Sequence, residues 1–173
     1  EEVDIDVTAL APAGLPSLPA DIGDAGYTAY LCVVPGAFLA DVYGKYGSRV
    51  LEGNVRAFLT AKGGVNKGIR KTITAFPDKF FAYNNGITAT ATSVETNKAG
   101  NIVRIRDMQI VNGGQTTASL YNARTQDGSS LDAVFVQMKL SVLSPKLALD
   151  MIPDISRCAN TQNKVSAADL FAN

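Results

Sequence analysis

The sequence predicts an α+β or α/β domain in which helices pack on a mixed sheet, and three observations carry that expectation. Segments near 27–34, 87–94, 102–111 and 133–143 are rich in β-branched residues or alternate apolar with polar ones, as strands do. Stretches with helical apolar spacing lie between them. At 173 residues, 46% hydrophobic and 18% charged, the chain is long and apolar enough for one sizeable core.

In chain order, residues 1–24 hold a proline- and glycine-rich run, Leu10–Pro16, and an edge strand at Val3–Val7. They read as a connection entering from something upstream, and the domain proper is expected to span 25–173. Tyr27–Val34 forms a strand closed by Pro35-Gly36, and Ala37–Tyr46 a helix with Phe38, Leu39, Val42 and Tyr46 at helical spacing. Val50, Leu51, Val55, Phe58 and Leu59 are expected in the core, with Asn54 and Arg56 polar between them. Val65–Phe76 predicts a helix with Val65, Ile69, Ile73 and Phe76 on one face, Asn66 as N-cap and Pro77 as terminator.

Asn84-Asn85-Gly86 is a turn before the strand at 87–94. A polar loop, Thr96–Asn101, separates that strand from Ile102–Arg106, so residues 87–111 read as a hairpin. The hairpin delivers the chain to Met108–Ala123, the stretch around which the rest is organised. There an apolar run ends at Asn112-Gly113-Gly114, Gln115-Thr116-Thr117 follow, and Ala118, Leu120, Tyr121 and Ala123 open a helix. Ala133–Leu143 alternates cleanly, with Val134, Val136, Met138, Leu140 and Val142 on one face. Ser144-Pro145 opens a helix through Met151, Pro153 interrupts it, and Asp154–Ala159 is a second piece. Asn160–Asn163 is a polar cluster, and Ser166 with Asp169 reads as a further helix start. The chain stops at Asn173 in or just after that helix, so a domain incomplete at its C-terminus, excised from a longer protein, is expected.

Composition narrows the chemistry. There is no histidine, which removes a Ser-His-Asp triad and any His-ligated zinc site. The two cysteines, Cys32 and Cys158, lie far apart and form no CxxC, so a reducing cytoplasm is the expected setting. No apolar run is long enough to span a membrane. The formal charge is zero but uneven. Residues 1–24 carry six acidic residues and no basic one, whereas residues 45–79 carry Lys45, Arg49, Arg56, Lys62, Lys67, Arg70, Lys71 and Lys79 against Glu52 and Asp78. Such a basic stretch meets phosphates or is an ordinary solvated face.

Strand, glycine turn and helix start in succession form an anion-binding device, because the first helical N–H groups lack intrahelical partners and sit at the positive end of the dipole. The alternative is that Asn-Gly-Gly only turns the chain and Thr116 or Thr117 caps the helix. Around this turn the chain is rich in amides: Asn54, Asn66, Asn84, Asn85, Asn112, Gln115, Asn160, Gln162 and Asn163, with Arg56, Arg70 and Arg157 among them. Side-chain amides donate and accept but do not titrate near neutrality, which suits recognition of a base, a ribose or a carbonyl better than proton transfer.

The segments NVRAFL, VNKGIRKTI, FFAYNNGIT, QIVNGGQTTASL and ISRCANTQNKVSAADLFAN, in order from Asn54 to Asn173, together resemble the AIPR family of abortive-infection phage resistance proteins. The resemblance implies a bacterial cytoplasmic defence protein, longer than this chain. Its motifs fall on Asn112, Gly113, Gln115 and Thr116, on Asn84, Asn85 and Gly86, and on Asn160, Gln162 and Asn163. Arg56, Asn66 and Arg70 lie in its basic segment. The strand–turn–helix is more distantly similar to the Asp-Gly-Gln-His-Arg signature of ParB-like nucleotide-binding domains, with Asn112 in place of Asp and Thr116-Thr117 in place of His-Arg.

Three functions compete. The first is a recognition module binding a nucleotide or nucleic-acid phosphate at Asn112, Gly113, Gly114, Gln115 and Thr116. Asn84, Asn85, Asn160, Gln162 and Asn163 would line the same pocket, with Arg56, Lys67, Arg70 or Arg157 as countercharge. The second is a metal-dependent nuclease or nucleotide hydrolase, which wants converging carboxylates that the sequence does not pair. The third is a protein-interaction domain coupling an upstream effector to a phage trigger. Binding is favoured over catalysis. No cofactor is expected, a divalent metal belonging only to the enzyme reading, and the remainder of a longer chain is the other expected partner.

Overall fold

A single long, bent hairpin sets the architecture. In the computed structural model, which describes residues 2–62 and 66–162, its base is β4 (Ile87–Ala91) with β7 (Gln109–Asn112), and its outer half is β5 (Ser93–Thr96) with β6 (Ile102–Arg106). Both pairs are antiparallel. The strands bend together at Thr92 and Asp107. Asp107 has φ 52°, left-handed for a non-glycine residue, and the Thr92 N–H donates to the Arg106 carbonyl across the bend at 3.0 Å. The stretch expected as one strand at 102–111 is therefore two, and 87–94 divides likewise.

The bend shares the hairpin between two sheets. Its outer half joins β1 (Asp4–Asp6) in the order β1-β6-β5. Its base joins β2 (Ser17–Ala20), β3 (Thr28–Pro35) and β8 (Phe135–Val142) in the order β2-β3-β8-β4-β7, in which only β4 and β8 run parallel. The first twenty residues thus give a strand to each sheet, and Val3, Ile5, Val7 and Leu15 are buried in the core. β8 occupies the middle of the main sheet. Val136, Met138 and Leu140 are buried and Gln137 and Lys139 exposed, following the period-2 pattern of the sequence.

Helices cover one face. They are α1 (Gly36–Tyr46), α2 (Gly53–Lys62), α3 (Lys67–Ala75), α4 (Phe80–Tyr83), α5 (Gly114–Thr125) and α6 (Pro145–Gln162). Helix α5 is the central one, with Thr116, Thr117, Ala118, Ser119 and Leu120 all buried. Tyr121 meets Tyr43 of α1 with ring centroids 5.4 Å apart. Asn66 caps α3 as its sequence position predicts, its Oδ1 accepting from the Ile69 N–H at 3.1 Å. Val65, expected in the same helix, lies outside the described residues. Helix α6 runs through Pro153 where two pieces were expected. The ring removes one i→i−4 bond, on a side of the helix where Leu149 is 80% exposed. The fold is α+β.

Candidate functional site

Antiparallel pairing makes β4 begin where β7 ends. Thr88 sits opposite Asn112, so the Asn84–Gly86 turn before β4 and the Asn112–Gly114 turn after β7 lie side by side. Both turn on left-handed glycines, Gly86 at φ 81° and Gly113 at φ 90°. Packing demands them. A Cβ on Gly113 would stand 2.6 Å from Ile87 Cγ2 and 2.9 Å from the Gly86 carbonyl oxygen, and a Cβ on Gly86 would fall on the Gln137 carbonyl oxygen. One on Gly114 would stand 2.6 Å from Val55 Cγ1. These glycines let neighbouring chain segments come close, a use separate from admitting a ligand.

Asn84 rivets the two turns. Its Oδ1 accepts from the Gly86 N–H at 2.8 Å, and its Nδ2 donates to Thr116 Oγ1 at 3.2 Å. Thr116 is buried, so this bond closes inside the protein. The N-cap of α5 is Gly113 itself, without a side-chain cap. Thr117 reaches back instead, donating to the Gly113 carbonyl at 3.3 Å.

Beside the rivet opens a cleft of about 740 Å³, within the ~300–1,000 Å³ of small-molecule sites. Asn84, Asn85 and Gly86 form one side, and Asn112, Gly113, Gly114, Gln115 and Thr116 the floor at the start of α5. Helix α2 contributes Asn54, Val55, Phe58 and Leu59, α3 contributes Ile69, α4 contributes Tyr83, and α6 contributes Ser156. Every described side chain lining the cleft is uncharged. The side chains of Asn54, Asn85 and Gln115 make no hydrogen bond to another described residue. Two aromatic rings stand open to solvent there, Phe58 at 52% and Tyr83 at 62% exposure.

Of the residues singled out in the sequence, Asn84, Asn85, Asn112, Gly113, Gly114, Gln115 and Thr116 come together in this cleft. The arginines do not line it. Arg56 donates from Nε to the Ser48 carbonyl and from Nη2 to the Leu51 carbonyl, each at 3.0 Å, tying α2 to the chain before it. Arg70 holds Asp127 in a two-pronged ion pair, with Lys67 and Lys71 around the same separate hollow. That bond keeps the Asp127 carboxyl below the usual carboxylate range and raises the Arg70 guanidinium. Arg157 pairs with Asp154 at 3.3 Å on an exposed side of α6, and its neighbour Ser156 faces the cleft instead. Asn160 and Gln162 belong to α6, but their side chains, like all of Asn163 and the segment from Ser166, lie outside what the structure describes.

Sequence reasoning placed Phe58 in the core and passed over Tyr83 and Ser156. The signal for Phe58 was present. Asn54 and Phe58 are four residues apart and share a helical face, an amide beside an aromatic. No group of three or more His, Cys, Asp or Glu side chains suited to a metal occurs among the described residues. Among the same residues no helix is long and apolar enough to cross a membrane.

Fold and cleft define an α+β domain whose recessed site, at one end of the main sheet, is built from amides, glycines and aromatic rings. The AIPR protein family matches residues 51–173, and the chain belongs to that family, one of abortive infection and phage resistance. The matched span contains the whole described lining of the cleft. Comparisons with curated proteins and with solved structures gave no match.

Proposed function

We propose that this domain is a recognition module of a bacterial anti-phage defence protein, taking a nucleotide or an unpaired nucleotide of nucleic acid into the cleft at the start of α5. The observation that carries this reading is the convergence of both Asn-Gly turns on one recess in which three amide side chains make no hydrogen bond to another described residue. Amides of Asn54, Asn85 and Gln115 offer paired donors and acceptors of the kind a base edge or a ribose presents. Phe58 and Tyr83 offer faces on which a base stacks. The first N–H groups of α5 are the place for a phosphate oxygen.

A catalytic reading would need an acid, a base or a metal-binding group at the recess, and the described lining contributes side-chain amides and hydroxyls with no carboxylate. Recognition therefore stands ahead of hydrolysis. The test is calorimetric titration of the chain with nucleoside monophosphates and short single strands, repeated on Gln115→Ala. Saturable binding that weakens about tenfold in the variant, the value of one or two hydrogen bonds, supports the reading, provided the thermal unfolding of the variant is unchanged. Absence of saturable binding by any of these probes ends it.

A further inference from the structure

Resting on that reading, we infer that the cleft takes one unpaired base with its sugar and at most one phosphate, and rejects metal-chelated di- and triphosphates and duplex ends. The shared chemistry is a single nucleotide unit, whether free as a monophosphate or part of a single strand.

Charge decides the upper limit. The described lining holds no charged side chain, and among the described residues the fixed positive potential there is that of the α5 N-terminus, equivalent to about half an elementary charge. A strand phosphodiester carries one negative charge and a phosphate monoester about −1.5 to −2 at neutral pH. One such group is within reach of a helix terminus and its N–H donors. A polyphosphate tail would bring several charges into a recess whose other walls are Val55, Leu59, Ile69 and amides, where unpaired charge is costly to desolvate. Four described cations of the basic segment are placed elsewhere. Arg70 is committed to Asp127 and Arg56 to two backbone carbonyls. Lys67 and Lys71 border the Asp127 hollow, not the cleft.

Ring geometry decides the lower limit. Phe58 on α2 and Tyr83 on α4 are both more than half exposed, whereas Leu59 and Val111 at the same cleft are buried and Val55 and Ile69 half-buried. Their open faces suit a flat, uncharged group, and stacking on them is indifferent to base identity. Asn54 lies one helical turn before Phe58, so an amide stands beside the ring where a base edge would project. A base already paired in a duplex offers neither a free face nor a free Watson–Crick edge. An unpaired one offers both.

The test compares adenosine monophosphate, magnesium-loaded adenosine triphosphate, an eight-nucleotide single strand and its duplex. The chain has no tryptophan and six tyrosines, so tyrosine fluorescence reports a base stacking on Tyr83. The monophosphate or the single strand should bind at least fivefold tighter than the triphosphate and the duplex. Raising salt fourfold should weaken binding less than about threefold, the response to one neutralised phosphate. Tyr83→Ala and Phe58→Ala should each lose tenfold or more with unfolding midpoints unchanged, since both rings are already exposed. The single strand binding tighter than the monophosphate assigns the site to nucleic acid, and the reverse assigns it to free nucleotides. Tighter binding of the magnesium triphosphate or the duplex, or a steep salt response, overturns this inference and leaves the nucleotide reading standing. No binding by any probe removes both.

Discussion

The basic face of α3 and the cleft a short distance away differ in what the protein has done with their polar groups. On α3 the conspicuous cation, Arg70, is paired with Asp127, and Arg56 on α2 is bound to two backbone carbonyls. In the cleft, the uncharged amides of Asn54, Asn85 and Gln115 make no hydrogen bond to another described residue. Charge draws attention in a sequence, yet here much of it ties the fold together, and the open hydrogen-bonding capacity sits on neutral residues. A surface ion pair contributes little and is screened by salt. On the proposed reading, amides that no described residue engages and exposed rings are the groups a ligand would use.

The strongest test of this division concerns the turns beneath the cleft, whose glycines belong to the fold. Gly86→Ala forces a side chain into a left-handed backbone and onto the Gln137 carbonyl. Left-handed strain of about 1–2 kcal/mol and overpacking of about 1–3 kcal/mol together predict a loss of about 2–4 kcal/mol in urea unfolding. Gly128, also left-handed at φ 65° but with open space around its Cβ position, is the control and should lose only the strain. Equal losses at the two positions would mean that the close approach of β4 to β8 at Gly86 does not matter, and the structural account of the turn would fail.

Next in size is the rivet. Asn84→Ala removes the acceptor of the buried Gly86 N–H and the partner of Thr116. A loss of about 1–3 kcal/mol is expected, the cost of leaving such groups unsatisfied. Asn85→Ala, one residue on and exposed, should change stability by less than about 0.5 kcal/mol. If the neighbours respond alike, the distinction between riveting and open amides is wrong.

These contrasts show what could be read in advance. The hairpin, the central β8 strand, the Asn66 cap and the meeting of two Asn-Gly turns all rest on local pattern: period-2 alternation, cap chemistry and glycine turns. Where the hairpin bends was hidden, because it depends on a left-handed Asp107 and on sharing strands between sheets. Membership of the first twenty residues in both sheets was hidden too, since β1 pairs with β6 about a hundred residues away. Arg56 and Arg70 were assigned a ligand role on charge and proximity in sequence. Their actual partners, the Ser48 and Leu51 carbonyls and Asp127, are fixed by tertiary placement that no spacing rule reveals. Phe58 failed for the reverse reason. An aromatic in an apolar stretch reads as core, and the sign against it was Asn54 four residues before on the same helical face.

The smallest expected effect belongs to the Arg70–Asp127 pair, and it separates the two regions most cleanly. Asp127 titrates below its ordinary value in the folded chain because Arg70 donates to its carboxylate. A depressed folded value means that the pair's contribution is present above the unfolded carboxylate range, near pH 4, and disappears as pH falls through the lower folded value. Unfolding measured from pH 6 to pH 2.5 should show the original chain losing a small increment below about pH 4 that Asp127→Asn lacks, with a constant difference above pH 5. Both side chains remain partly accessible, at 32% and 27%, so added salt should shrink the increment. Ligand binding should be the same in Arg70→Ala as in the original chain, whereas Gln115→Ala weakens it. Should Arg70→Ala cost binding instead, with the acid increment missing, the guanidinium would belong to the ligand and the division between the charged face and the neutral cleft would be lost.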